Sequence, residues 1–122
     1  MYDIPDTPPP PPPPPCIIEE PLEIPHLKTY QAKKALEIFM ENIQVFDKKQ
    51  EDYGPYNICG NPHPELGVAF RSGDKVNRLM NLFLKTQGEP NNESVLDSWI
   101  DLANYGIIGQ MLHKGVWLEP NQ

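Results

Sequence analysis

Two clusters of charged residues in the second half of the sequence have the types and spacing that phosphate and metal chemistry needs. The first is basic, and its members lie three or four residues apart: Arg71, Asp74, Lys75 and Arg78. The second repeats every four residues, with three acids followed by a tyrosine: Glu93, Asp97, Asp101 and Tyr105. Residues at these spacings share one face of an α-helix. Each cluster therefore predicts a single polar helix face.

The acidic face predicts a Mg²⁺ or Mn²⁺ site. Carboxylates one helical turn apart can hold Mg²⁺ through one or two oxygens each, while waters and substrate phosphates complete the shell. Asp97 and Asp101 are the first candidate ligands, Glu93 is a third, and Asp74 is a catalytic candidate that either joins them or orients an arginine. The alternative is a solvated helix face with weak ion pairs. The helix dipole accounts for Glu93 on that alternative, but not for Asp101.

The basic face predicts phosphate binding. Guanidinium and ammonium groups are the usual partners of phosphate oxygens. Arg71, Lys75 and Arg78 are the candidates on this face, and Lys49, near the end of the preceding helix, is a fourth. A short turn around Gly88 and Pro90 separates the two charged faces. Helices joined by a short turn are antiparallel neighbours, so the faces should oppose each other.

The elements that must position these residues are three helices, and no segment alternates with the period of a strand. Helix one should begin after Thr29 and run to about Asp52, followed by an irregular loop over 54–64. Helix two should run from about Glu65 to Lys85, and helix three from Asn92 or Ser94 to about Lys114. We expect an all-α, small antiparallel bundle.

Apolar residues at helical spacing predict which faces form the core. Helix one offers Leu36, Phe39, Ile43 and Phe46. Helix two offers Leu66, Ala69, Phe70, Gly73, Val76, Met80 and Phe83. Helix three offers Leu96, Trp99, Ile100, Ala103, Ile107 and Met111. A glycine within a helical apolar face predicts close backbone packing at Gly73.

Composition divides the chain into a proline-rich extended N-terminal arm, 1–28, and a helical domain, 29–122. Eight of the 16 prolines form the run Pro8–Pro15, which predicts a polyproline II rod. The rod is either a ligand for an aromatic groove or a spacer laid over a neighbour. The apolar residues after it should pack on the domain: Ile17, Ile18, Leu22, Ile24 and Leu27.

The net charge and the size of the domain limit the kinds of partner that the protein can have. The net charge of −7 argues against a nucleic-acid polymer as partner. No apolar run approaches the ~20 residues of a membrane span. The acidic N-terminus does not resemble a signal peptide, and Cys16 and Cys59 suit a reduced, cytoplasmic protein. A domain this small buries only ~60–65% of its chain surface, so we expect a homo-oligomer, a dimer or larger.

Three blocks resemble a known family: Lys-Gln-Glu-Asp-Tyr-Gly at 49–54, Arg-x-x-Asp-Lys-x-x-Arg-Leu at 71–79 and Asp-x-x-x-Asp-Leu-Ala-x-Tyr at 97–105. Over roughly residues 35–112 the sequence is similar to the phage and bacterial nucleotide-modification-associated domain, a MazG-like branch of the all-α nucleoside triphosphate pyrophosphatases. The resemblance implies an oligomeric helical bundle. It also implies Mg²⁺-dependent cleavage of an NTP or dNTP to NMP and pyrophosphate, here as a phage-encoded enzyme.

Carried onto this sequence, the resemblance implies that Asp97 and Asp101 hold metal and that Asp52 and Tyr53 face the nucleotide, as does Tyr105. Related pyrophosphatases oppose a Glu-x-x-Glu helix to a Glu-x-x-Asp helix, whereas Arg71 and Ser94 stand here where the acids would be. Three functions therefore stay open: a pyrophosphohydrolase, a nucleotide-binding protein without turnover that acts as a sponge against host defence, and an adaptor that uses the proline-rich arm.

Overall fold

The computed structural model describes residues 8–9, 22–85 and 94–120, and over these residues the only regular elements are helices. The elements are α1 (Tyr30–Tyr53), α2 (Tyr56–Cys59), α3 (Pro64–Leu84) and α4 (Val95–His113). The three predicted helices are confirmed as α1, α3 and α4, with ends within a few residues of the predicted ones. No helix in the described part of the chain has the length and apolar character needed to cross a membrane.

Local sequence signals set the helix ends. The Thr29 hydroxyl accepts a hydrogen bond from the Ala32 backbone N–H at 3.1 Å, which caps α1. Gly54 ends α1 with φ of 72°, a conformation that glycine adopts without strain. Pro64 opens α3, where its missing N–H is not needed. At α4, Ser94 is the N-cap, as one of the two predicted alternatives.

The prediction that 54–64 contains no regular structure is wrong, because α2 occupies part of it. Pro55 has φ of −72° and ψ of −28°, so its ring already holds the helical conformation that starts the turn. The Gly60 N–H closes the turn on the Tyr56 carbonyl at 2.9 Å. This single turn carries Ile58 into the core, where only 5% of its surface stays exposed.

The helices α3 and α4 are antiparallel, as predicted. Arg78 contacts Ser98, Lys75 contacts Asp101, and Glu65 contacts His113, so residue numbers fall along α3 as they rise along α4. One of these contacts, Lys75 to Asp101, joins the two charged faces predicted from the spacing, whereas Ser98, Glu65 and His113 lie outside those faces.

The core is small and lies at one end of the molecule. Its buried centre is formed by Ile58, Val68 and Ile108, and the half-buried side chains around it are Phe46, Tyr105, Leu112 and Trp117. Trp117, beyond α4, donates from Nε1 to the Pro55 carbonyl at 2.9 Å and meets Phe46 edge-on, with ring centroids 6.4 Å apart. These contacts join α1, α2 and α4 around the core.

The apolar faces predicted for the core are largely exposed in the single chain. On α3, Phe70, Met80 and Phe83 each expose more than half of their surface. A Cβ added at Gly73 would meet nothing within 4 Å, so the predicted close packing there is wrong within the described chain. The reason is that a different side of α3 faces α4, and this side carries Lys75 and Arg78 beside the buried Val68. On α4, Ile100, Ile107 and Met111 are half-buried, but Leu96, Trp99 and Ala103 are exposed.

Two predictions for the N-terminal arm fall mainly outside the described residues. Ile17, Ile18 and most of the proline run lie there, and Pro8 and Pro9 are exposed. Of the arm residues predicted to pack on the domain, Leu22 and Ile24 are exposed and Leu27 is half-buried. For the described part of the arm, packing is therefore limited to Leu27.

Candidate functional site

A cavity of about 320 Å³ lies where α1, α2, α3 and α4 come together. Its volume is at the lower end of the range of small-molecule sites. Its charged lining comes from Lys49 on α1, Arg71 on α3 and Asp101 on α4. The described lining therefore brings together three of the residues that the sequence singled out, from three separate helices.

Asp101 is held between two lysines. Its Oδ1 lies 3.3 Å from Lys49 Nζ, and its Oδ2 lies 2.8 Å from Lys75 Nζ. The Asp101 side chain is only 16% exposed, whereas Lys49 is half-exposed and can turn toward a ligand. The carboxylate thus serves as counter-ion to a predicted phosphate-binding pair. With Arg71 also on the cavity wall, positive charge exceeds negative charge on these four side chains.

The rest of the cavity wall is aromatic and amide-bearing. Phe46, Tyr53 and Tyr105 supply rings, and Asn57 and Asn104 supply side-chain amides. Tyr53 and Tyr105 were predicted to face a nucleotide, and both line this cavity. Sequence reasoning missed both asparagines. Asn104 follows Asp101 by three residues and shares its helix face, which is a signal that could have identified it. Asn57 lies in α2, within the segment predicted to be irregular.

Arg78 forms hydrogen bonds between α3 and the start of α4. Its Nη1 donates to the Ser94 carbonyl at 3.3 Å and to the hydroxyl of Ser98, which is fully buried. Arg78 does not line the cavity. The arginine joins α3 to the first turn of α4, and its predicted role in phosphate binding stays a prediction.

Asp97 takes part in the N-terminal cap of α4. Its Oδ2 accepts from the Ser94 N–H at 3.3 Å, and its own N–H donates to Ser94 Oγ at 3.0 Å. This reciprocal pair is a capping box. Asp97, Asp74 and Asp52 are exposed and lie outside the cavity lining, and Glu93 falls outside the described residues.

Asp97 and Asp101 are engaged in contacts with other parts of the protein, and the described carboxylates do not gather into a cluster of metal ligands. No three His, Cys, Asp or Glu side chains come together as a metal site within the described residues. Both Asp101 oxygens contact lysine ammonium groups, and Asp97 is engaged in the cap. Mg²⁺ is usually held by one or two carboxylates together with substrate phosphates. The predicted Mg²⁺ or Mn²⁺ site remains a prediction, since Glu93 is not described.

Comparison of the sequence and structure with known proteins identifies no relative. No protein-family model matches the sequence. No curated protein and no solved structure matches it either. The resemblance in the three sequence blocks therefore remains a prediction, and the function has to be argued from the cavity.

Proposed function

We propose that the chain binds a nucleotide in the cavity between its helices and that the phosphates lie against Lys49 and Arg71. The observation that carries the proposal is the shared wall: two cationic side chains and a set of aromatic and amide side chains face one space. A nucleotide has the matching parts, since its phosphates are anionic and its base is flat and polar at the edge. Charge-assisted contacts to phosphate are roughly twice as strong as neutral hydrogen bonds.

The aromatic and amide side chains suit the base. A base stacked on an aromatic ring gains about 1–3 kcal/mol. Tyr53 and Tyr105 supply such rings, and the amides of Asn57 and Asn104 each offer both a donor and an acceptor to a base edge. A cavity with rings alone would take any apolar ligand, and one with cations alone would take any anion. Their combination favours a nucleotide.

Cleavage between the α- and β-phosphates is the second candidate. The resemblance implies it, and Asp101 lies in the same cavity as Lys49 and Arg71. Binding without turnover agrees better with the contacts, because both Asp101 oxygens contact lysines and Asp97 is engaged in the cap of α4. The sponge-like function predicted from the sequence is therefore the one we place first.

The first experiment separates binding from cleavage. The purified full chain is incubated with a panel of NTPs and dNTPs, with Mg²⁺ in one arm and EDTA in the other, and bound and free compounds are resolved by anion exchange. We expect retention of an intact nucleotide in both arms. Appearance of NMP together with pyrophosphate, only with Mg²⁺, would establish the second candidate. A panel neither bound nor altered would refute both.

The second experiment tests the position of the phosphates. Lys49→Gln removes a cavity cation, and Lys48→Gln removes the same charge from the neighbouring exposed residue outside the cavity. A hydrogen bond to a charged group contributes about 1.5–3 kcal/mol, so Lys49→Gln should weaken binding roughly 10- to 100-fold. Lys48→Gln should stay within about twofold. Equal losses in the two variants would show attraction by overall charge and contradict the proposed site.

A further inference from the structure

The helix α3 has an apolar face that no other part of the described chain covers. Seen along the helix axis, one side of α3 meets α4 through Val68 and Lys75 and also carries the buried Leu79. Another side carries Arg71 to the cavity. The remaining side is the outer face, formed by Leu66, Ala69, Phe70, Gly73, Val76, Met80, Phe83 and Leu84. Ala69 and Gly73 are small, and the other six are large apolar residues. All eight are exposed, and a Cβ added at Gly73 would meet nothing within 4 Å.

The outer face is large enough for a stable interface. Its six large side chains are between 43% and 78% exposed. An aromatic side chain covers ~150–250 Å², so together these six leave roughly 600–700 Å² of apolar surface per chain. Stable interfaces bury roughly 1,200–2,000 Å² in total, or about 600–1,000 Å² per partner, so this face reaches the lower end of the range. Exposed apolar patches of this extent mark interaction sites on soluble proteins.

The order of small and large residues along the outer face identifies the partner. Ala69 and Gly73 lie seven and three residues before Val76, and Met80 and Phe83 lie four and seven residues after it. When a second α3 lies antiparallel with Val76 opposite Val76, Phe83 lies level with Ala69. Met80 lies level with Ser72, one residue or about 1.5 Å along the axis from Gly73. Large side chains then fall opposite small ones. A parallel arrangement would place the two Phe83 side chains together and leave space at Gly73.

We propose that two copies of this chain pair through the outer faces of α3, antiparallel and about a two-fold axis near Val76. Such an interface is self-complementary, because each pair of contacting residues occurs twice. The open space at Gly73, where a Cβ would meet nothing within 4 Å, receives Met80 of the second copy. Arg71 lies on nearly the opposite side of α3, so pairing leaves the cavity accessible and does not depend on the proposed function.

Cross-linking tests the axis directly. In the full chain with Cys16 and Cys59 replaced by serine, Val76→Cys is treated with a short bis-maleimide. A covalent dimer of twice the 13.9 kDa chain mass is expected. Phe83→Cys is the matched control on the same face: seven residues from the axis, the two copies are about 20 Å apart at 1.5 Å per residue, beyond the reagent's reach. Equal cross-linking at both positions, or at neither, overturns the proposal.

Sedimentation equilibrium tests the face without a cross-linker. The unsubstituted chain should have twice the mass of one chain, and Met80→Glu, which adds a charge to the outer face, should shift it to the single-chain mass. Asn81→Glu adds the same charge about 100° around the helix from Met80, away from the proposed contact line through Ala69, Val76 and Phe83, and should remain dimeric. Because Met80 is already 56% exposed in one chain, its replacement should leave the helical circular dichroism unchanged. A single-chain mass for the unsubstituted protein would refute the pairing.

Discussion

Replacing Asp101 by asparagine keeps the shape of the side chain and removes its charge from the cavity. The structure predicts that stability falls. The carboxylate contacts Lys75 at 2.8 Å and Lys49 at 3.3 Å, and hydrogen bonds to charged groups contribute about 1.5–3 kcal/mol. Lys49 is half-exposed, so solvent screening reduces its share. We expect a loss of about 1–2 kcal/mol of unfolding free energy, which lowers Tm by roughly 5–15 °C in a domain of this size.

Nucleotide binding should change in the opposite direction. In the unsubstituted protein the Asp101 carboxylate competes with a bound phosphate for Lys49. A phosphate on the far side of that ammonium group would lie about 7 Å from the carboxylate, where like charges repel by roughly 1 kcal/mol at an effective dielectric constant of ~40. Asp101→Asn removes this repulsion, so affinity should rise about five- to tenfold.

The assay is equilibrium dialysis of a nucleotide against both proteins, with thermal unfolding followed by circular dichroism. Asp97→Asn is the matched control, because it removes the same charge one turn away and outside the cavity. Its affinity should stay within about twofold. Weaker binding by folded Asp101→Asn would refute the counter-ion reasoning, since it would mean that the carboxylate supports the ligand. Loss of a measured turnover would support the pyrophosphohydrolase instead.

Three further predictions concern the contacts that position the cavity. Ser94→Ala removes the capping box and should cost about 1 kcal/mol in urea unfolding, and an unchanged midpoint would show that the cap is dispensable. Ser98→Ala removes a buried acceptor of Arg78 and should cost roughly 1–3 kcal/mol. Ser72→Ala, which loses only a bond within its own helix, is its control and should cost far less. Trp117→Phe keeps an aromatic ring but loses the hydrogen bond to the Pro55 carbonyl. The free energy of unfolding should therefore fall by about 1 kcal/mol in the same assay.

The sequence was a good guide to the helices because their ends depend on local chemistry. Thr29 and Ser94 cap through their own side chains, and Pro64 opens α3 through the geometry of its ring. The contact between Lys75 and Asp101 joins the two charged faces that the spacing predicted to oppose each other. Spacing could not assign the partners within those faces. Lys75 reaches Asp101, and Arg78 instead reaches the buried Ser98, because rotation of each helix decides which side chain meets which.

The predicted core residues differ most from the structure, and the difference has one physical origin. The hydrophobic pattern identifies which residues leave water, but it does not say which chain covers them. Phe70 and Met80 were predicted to be core residues and are exposed in one chain. The proposed pairing of α3 would bury both, so the pattern would then describe an interface between copies.

The same origin accounts for the polar contact between α3 and α4. If α3 gives its apolar face to a second copy, the side that remains for α4 is the one that carries Lys75, Arg78 and Ser72. Polar groups that leave water must be paired. The hydroxyl of Ser98 therefore meets Arg78, and Asp101 meets Lys75 and Lys49. If α3 packs on α4 with one side and on a second copy with another, the charged groups that border the cavity are a consequence of this double packing.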